Sequence, residues 1–205
     1  VYNFYRATKM ATQNKLWAGM AKETAHQIGT PLSSLIGWLE ILKMENIEES
    51  TIVEIEKDTN RLQTITDRFS KIGSEPVLEK RDIIEDTKNT VDYLQTRVSQ
   101  QVNFYFKAPQ HPVFVEINPA LHSWTIENLV KNAIDAMKGK GSLNIVISEL
   151  EDMVKISITD TGKGIPKNQF SKVFEPGFTT KKRGWGLGLS LTKRIVQEYH
   201  KGKIK

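Results

Sequence analysis

The 205-residue sequence contains no cysteine. That excludes disulfides and thiolate metal sites, and it fits an intracellular compartment. It also has no run of about 18 apolar residues, so no segment is expected to span or contact a membrane within this stretch of chain. No signal peptide is visible in this stretch of sequence. The excess of basic over acidic residues is only +5, and the lysines are scattered apart from Lys181, Lys182 and Arg183. A dedicated nucleic-acid face would show clustering, so no nucleic-acid partner is expected. A hydrophobic content of 39% is that of an ordinary folded chain. The chain opens on VYNFYRATKM without an initiator Met and is expected to be a fragment of something longer.

Two kinds of patterning follow each other. Residues 1–43 read as one long helix, with Leu16, Met20, Ile28, Leu32, Leu35, Leu39 and Leu42 mostly three or four apart. A polar stretch near Glu45–Ser50 breaks the stripe. A second helix is expected over 51–72, with Ile52, Ile55, Leu62, Ile65 and Phe69 on one side. One partner helix cannot bury either stripe alone. The expectation is therefore a helical hairpin that pairs with a second copy as a homodimeric four-helix bundle.

Gly73-Ser74-Glu75-Pro76 reads as a linker. The expected domains are 1–75 and 76–205. Beyond the linker the pattern predicts a helix over Asp82–Gln100, strands at Val102–Lys107 and Val113–Ile117, and a helix over 119–138 capped by Asn118-Pro119. Paired strands follow at Ser142–Glu149 and Met153–Asp160. A short helical piece is expected at Phe170–Phe174 and a last helix at Leu187–Tyr199. The chain stops at HKGKIK, where a strand is expected to begin.

Three segments of the second region carry chemistry. In ENLVKNAIDAM (127–137), Asn128 and Asn132 are four apart and share a helix face. Their carboxamide oxygens suit a magnesium ion held mainly by phosphates and water. In DTGKGI (160–165), Asp160 ends an apolar strand. Its carboxylate can accept from an exocyclic amino group such as adenine's, and Gly162 and Gly164 permit close approach beside Ile165. In GWGLGLSL (184–191), Gly184, Gly186 and Gly188, with Leu187 and Leu189, lead into a helix whose N–H groups suit an anion. Between the last two lies FEPGFTTKKRG (174–184), a lid-like loop whose Thr179, Thr180 and Lys181 suit phosphates.

These segments resemble the N, G1, F and G2 boxes of the ATP-binding domain of sensor histidine kinases. AHQIGTPLSSL (25–35) resembles that family's phosphoacceptor box. The boxes stand in the family's order over nearly the whole chain. The resemblance implies a dimerisation and phosphotransfer hairpin followed by an α/β sandwich of the histidine kinase, gyrase and Hsp90 ATPase type. It implies His26 as phosphoacceptor, Asn132 and Asn128 at Mg–ATP, and Asp160 at the adenine. It also implies a response-regulator receiver domain as partner and a cytoplasmic location, including that of the cytoplasmic part of a membrane-anchored sensor.

Two departures from the family pattern bear on mechanism. Gln27 follows His26 where most of the family has an acid. An amide orients an imidazole but takes no proton. Glu23, one turn earlier, is the candidate substitute base, and Thr30, one turn later, matches the family residue that positions water. Pro31 stands inside the same helix at a cost of roughly 3 kcal/mol, a broken rule that points to function. Asp135 stands where many kinases carry Lys. Gyrase-like ATPases carry a water-activating Glu at the position of Asn128, and here Glu127 lies about 100° of helix away. Two alternatives stay open beside the kinase: an ATPase without a phosphoacceptor, and a weak-kinase scaffold or phosphatase. His111, His122 and His200 receive no chemistry.

Overall fold

A computed structural model describes residues 28–29, 31–45, 49–72, 76–181 and 186–205. The chain divides into two compact units, Val1–Pro76 and Val77–Lys205.

The first unit contains two helices, α1 over residues 31–44, with 28–29 also helical, and α2 at Glu49–Ile72. Each carries a seven-residue repeat of buried positions: Leu32 and Leu39 in α1, and Ile52, Thr59 and Thr66 in α2. Such a repeat is the seam along which two helices pack at a shallow angle. Cross-helix contacts agree. A side chain at Gly29 would lie 3.8 Å from the Thr66 methyl, and Lys43 reaches Glu56 at 3.0 Å. A second set, also seven apart, is left exposed: Ile28 and Leu35 in α1, Ile55 and Leu62 in α2. The expected apolar stripes are thus divided, one row inside the hairpin and one row outside. Leu16 and Met20 lie outside the described residues, as do the side chains of Ile65 and Phe69.

The second unit begins with β1 (Glu79–Asp82), which pairs antiparallel with β3 (Phe114–Ile117). Asp82 ends β1 and caps α3 (Ile83–Gln95), accepting from the Ile84 N–H at 3.1 Å. The main sheet has the order β2-β4-β5, formed by Val102–Lys107, Gly141–Leu150 and Met153–Asp160. β2 runs parallel to β4, and β4 antiparallel to β5. Between β3 and β4 lies α4 (Pro119–Ala136), with Pro119 in its first turn and Asn118 accepting from the Leu121 N–H at 3.1 Å. Val91 and Leu94 of α3 meet Ile126, Val130 and Ala133 of α4 over Val102, Leu143 and Ile145 of the sheet. This helix layer on a sheet is the expected α/β sandwich, and its core holds the sheet-facing side of α4 in place.

Four local expectations need correction. The Asp82–Gln100 helix stops at Gln95, because Thr96 and Arg97 turn back on Asp92 and Leu94. The sequence pattern does not predict β1. Its EKRD sequence has no apolar alternation, and it becomes a strand only by pairing with β3. Phe170–Phe174 is not a helix. A 3₁₀ turn at Lys167–Gln169 leads into successive tight turns, too short a run to nucleate an α-helix. The tail 201–205 forms no strand. Lys201 has φ of 53° and the Gly202 N–H returns to the Val196 carbonyl at 2.7 Å, folding the chain back on the last helix. That helix, α5 (Gly188–Arg194), continues as a π-helical turn over Ile195–Tyr199.

Candidate functional site

The three glycine- and asparagine-bearing segments meet along one helix, α4. Asn128 and Asn132 are half-buried on it. Gly188, at the start of α5, lies against the first of them: a Cβ there would stand 3.4 Å from the Asn128 Oδ1. The Asn128 Nδ2 is buried and has no hydrogen-bond partner among the described residues. An amide donor so placed is costly unless a partner arrives, so it marks the wall of a site.

At the other end of α4, the turn after β5 closes on the helix. The Asp160 Oδ1 accepts from the Gly162 N–H at 2.8 Å, and the Lys163 N–H reaches the Ala136 carbonyl at 3.3 Å. A Cβ on Gly162 would fall 2.6 Å from the Ala136 backbone, so glycine is required by contact and not merely by the turn. Gly164 has φ of 68° and stands open, next to an exposed Ile165.

The lid-like loop is tied at both ends. Gly177 donates to the Gly186 carbonyl at 3.0 Å, and Gly186, at φ of 65°, has room for no side chain against Gly177. The Lys193 ammonium lies over the Phe174 ring at 5.5 Å from its centre. Thr179 Oγ1 accepts from the Lys181 N–H at 3.1 Å, while Thr180 is exposed. Lys181 crosses to α4. Its Nζ donates to the Asn132 Oδ1 at 2.8 Å and pairs with the Asp135 Oδ2 at 2.6 Å. Leu187 and Leu189 are half-buried beside Gly188. Glu127 is buried and bonded to Lys131 at 3.3 Å.

Of the residues expected to act, His26, Gln27, Glu23, Thr30 and Gly184 lie outside the described residues. Two buried hydroxyls escape a reading of the sequence. Thr125 on α4 and Thr192 on α5 have no partner among the described residues. Threonine in a helix interior gives no distinguishing signal in sequence. The histidines left without chemistry have structural duties. Thr87 spends its hydroxyl proton on the Ile83 carbonyl at 2.6 Å, so His122 Nε2 donates to it at 2.9 Å. The Asn118 N–H donates to His200 Nε2 at 3.1 Å. Burial, and then the neighbouring His200, push His122 from 6.5 to about 4, and burial does the same to His200.

Residues 17–75 match the His Kinase A (phospho-acceptor) domain, and residues 121–205 match the histidine kinase-, DNA gyrase B-, and HSP90-like ATPase family. The chain belongs to the sensor histidine kinases. The match to their ATP-binding domain falls in the C-terminal unit and the match to their phosphoacceptor domain in the N-terminal unit. Sporulation kinase E of Bacillus subtilis strain 168 is 29% identical over 195 residues, which are 90% of this chain and 26% of that protein. Sensor histidine kinase ZraS of Salmonella typhimurium strain LT2 is 30% identical over 210 residues, 98% of this chain and 44% of the relative. The chain thus spans less than half the length of these relatives. The catalytic domain of histidine kinase ThkA is 29% identical with a TM-score of 0.58, covering 62% of this chain and 84% of that one. ThkA in complex with the response regulator protein TrrA is alike in fold at 23% identity and a TM-score of 0.58, over 98% of this chain and 60% of that one. Among the described residues no helix is long and apolar enough to cross a membrane.

Proposed function

We propose that the chain is the catalytic core of a sensor histidine kinase, phosphorylating His26 from Mg–ATP and passing the phosphoryl group to an aspartate of a response-regulator receiver domain. The observation that carries this reading is the convergence on α4. Gly188 backs Asn128, Lys181 touches Asn132, and the Asp160 turn closes on Ala136. The partner is argued from the phosphoacceptor domain and from the ThkA–TrrA complex.

The residues fit a polyphosphate bound through a metal. The unpartnered Asn128 Nδ2 needs an acceptor, which a phosphate oxygen supplies. The Asn132 Oδ1 already serves a cation, the Lys181 ammonium. Magnesium bound there would neutralise phosphate charge as the γ-phosphoryl group transfers. Asn128 and Asn132 are proposed to hold it, and Asp160 to accept from the adenine amino group beside Gly162, Gly164 and Ile165. Thr179, Thr180 and Lys181 of the loop, with Gly184, Gly186, Leu187, Gly188 and Leu189, are proposed to line the phosphates.

Gln27 or Glu23 orients the His26 imidazole, and Thr30 holds the water that dephosphorylates the regulator. The exposed seven-residue rows of α1 and α2 support a homodimer through the first domain, here taken as 1–75, with the ATP-binding domain as 76–205. Phosphoryl transfer from ATP through His26 to a receiver aspartate belongs in the cytoplasm.

The burial of Glu127 and its bond to Lys131 favour a kinase over a water-activating ATPase, since that carboxylate is occupied. The scaffold reading rests on Gln27 alone. Radiolabelled ATP tests all three. The kinase gives an acid-labile, base-stable phosphoprotein that is absent in His26→Ala. Steady phosphate release without labelled protein would support the ATPase. Nucleotide binding with neither labelled protein nor phosphate release would support the scaffold.

A further inference from the structure

The Lys181–Asp135 contact is not one that phosphate binding requires. Lys181 is the cation nearest the proposed metal oxygen, yet a carboxylate claims it. The two acceptors are one helical turn apart on α4, Asn132 Oδ1 at 2.8 Å and Asp135 Oδ2 at 2.6 Å, so the ammonium sits between them. The backbone behind Lys181 is held by its own bond to Thr179 and by the Gly177–Gly186 pair. The reach of Lys181 is therefore set by the loop and its position by Asp135.

We infer that Asp135 is a positioning residue, a latch that fastens the Lys181 segment of the loop to α4 in competition with Mg–ATP. This rests on the proposed role of Asn132 at Mg–ATP. Nucleotide entry has to take the Asn132 oxygen from the ammonium for the metal, and has to take the ammonium from Asp135 for a phosphate. Both exchanges act in one direction. While Lys181 is paired with Asp135, its charge is not available to phosphate. The Asp135 carboxylate also adds a negative charge beside a polyanion. Both partners are half-exposed, at 43% and 56%, so the latch is weak enough to be opened by the ligand it opposes.

The test is calorimetric titration of a non-hydrolysable Mg–ATP analogue into the 205-residue chain, for wild type, Asp135→Asn, Lys181→Met and the double variant. Asp135→Asn should bind about two- to fivefold tighter, the range that an exposed ion pair controls. The gain should shrink at high salt, because the competing pair is screened. Lys181→Met should bind more weakly, and adding Asp135→Asn to it should change affinity less than about twofold, since no ammonium remains to be released. Weaker binding by Asp135→Asn would overturn the latch and make Asp135 a productive ligand of the site. Equal tightening with and without Lys181 would also overturn it, reducing Asp135 to a source of repulsion.

A readout without nucleotide separates the latch from the pocket. The Gly177 and Lys181 amides should exchange with solvent faster in Asp135→Asn. Unchanged exchange would sink the latch while leaving the pocket intact. Failure of every variant to bind nucleotide would overturn the pocket itself.

Discussion

Asp160 and Gly162 are bound to each other: the glycine N–H donates to one carboxylate oxygen at 2.8 Å, and the second oxygen has no partner among the described residues. The side chain therefore does two things at once, shaping the turn with one atom and offering the other.

That division separates folding from binding. Asp160→Asn keeps an oxygen for the Gly162 N–H and turns an NH₂ outward, where the proposed adenine amino group is also a donor. The expected loss in ATP affinity is about 1.5–3 kcal/mol, typical of a hydrogen bond to a charged group. GTP, which presents a carbonyl at that place, should lose much less. Calorimetry with both nucleotides decides, and an equal loss for both removes Asp160 from base recognition.

Two glycines should fail in different ways. A Cβ at Gly188 meets the end of a side chain, Asn128 Oδ1 at 3.4 Å, which can give by a few tenths of an ångström. A Cβ at Gly162 meets the Ala136 backbone at 2.6 Å, which cannot. Gly162→Ala should cost about 1–3 kcal/mol of stability, as overpacking does. Gly188→Ala should melt close to wild type and lose Mg–ATP affinity several-fold, a loss that calorimetric titration reads directly. A Gly188→Ala variant that binds normally would detach Asn128 from the phosphates.

The exposed rows of the helical unit predict self-association. Leu35 and Leu62 are 49% and 42% exposed, although they repeat with the same seven-residue spacing as the buried row. Each leucine buried in a bundle contributes about 1.5–3 kcal/mol. Wild type should behave as a dimer at micromolar concentration by light scattering, and Leu35→Glu with Leu62→Glu should give monomers. A monomeric wild type removes the four-helix arrangement.

Much of this was legible in the sequence, and the exceptions share a cause. The period of apolar residues located α4, β2 and β5 because each turns an apolar face to the core at the period of its own element. It missed β1, whose four residues are all charged and which owes its strand state to β3. Glycine and asparagine spacing picked out three segments that meet on α4, because each pattern is local in the chain. It could not locate the meeting of Lys181 with Asp135, 46 residues apart, or that of His122 with Thr87, 35 apart. Nor could it divide the helical stripes into buried and exposed rows, since in α2 the buried row holds Thr59 and Thr66 while the more apolar Leu62 is exposed.

Acid should weaken the second unit through its buried histidines. His122 and His200 are held near 4, against about 6.5 in an unfolded chain, so the folded state favours their neutral forms. The unfolded chain binds the extra protons first. The stabilisation is complete above about pH 6.5 and is lost as pH falls from there toward 4. For His122, which is almost fully buried, the loss by pH 4 is on the order of 3 kcal/mol. His200 is more exposed and should add less. Urea midpoints between pH 4 and 7 should rise with pH in wild type, with a flatter profile in His122→Gln, where the amide still donates to Thr87. An unchanged slope in that variant assigns the acid sensitivity elsewhere.

The phosphoryl transfer proposed for His26 turns on its neighbour. Gln27 donates and accepts hydrogen bonds but is no base near neutral pH, whereas general-base assistance is typically worth about 10²–10⁴-fold. If no other group assists, Gln27→Glu should raise the autophosphorylation rate and Glu23→Gln should change little. If Glu23 serves as the base from one turn away, Glu23→Gln should slow labelling sharply and Gln27→Glu should add little. The first outcome is the expected one, because the residue adjacent to the histidine is where most of the family carries its acid. Dephosphorylation of the regulator should depend on Thr30 in either case, since that reaction needs a water held in line and no proton from His26. Time courses of labelling for both variants decide between the two. A rate unmoved by either change means that the proton leaves directly to water, and the base has no part in the step.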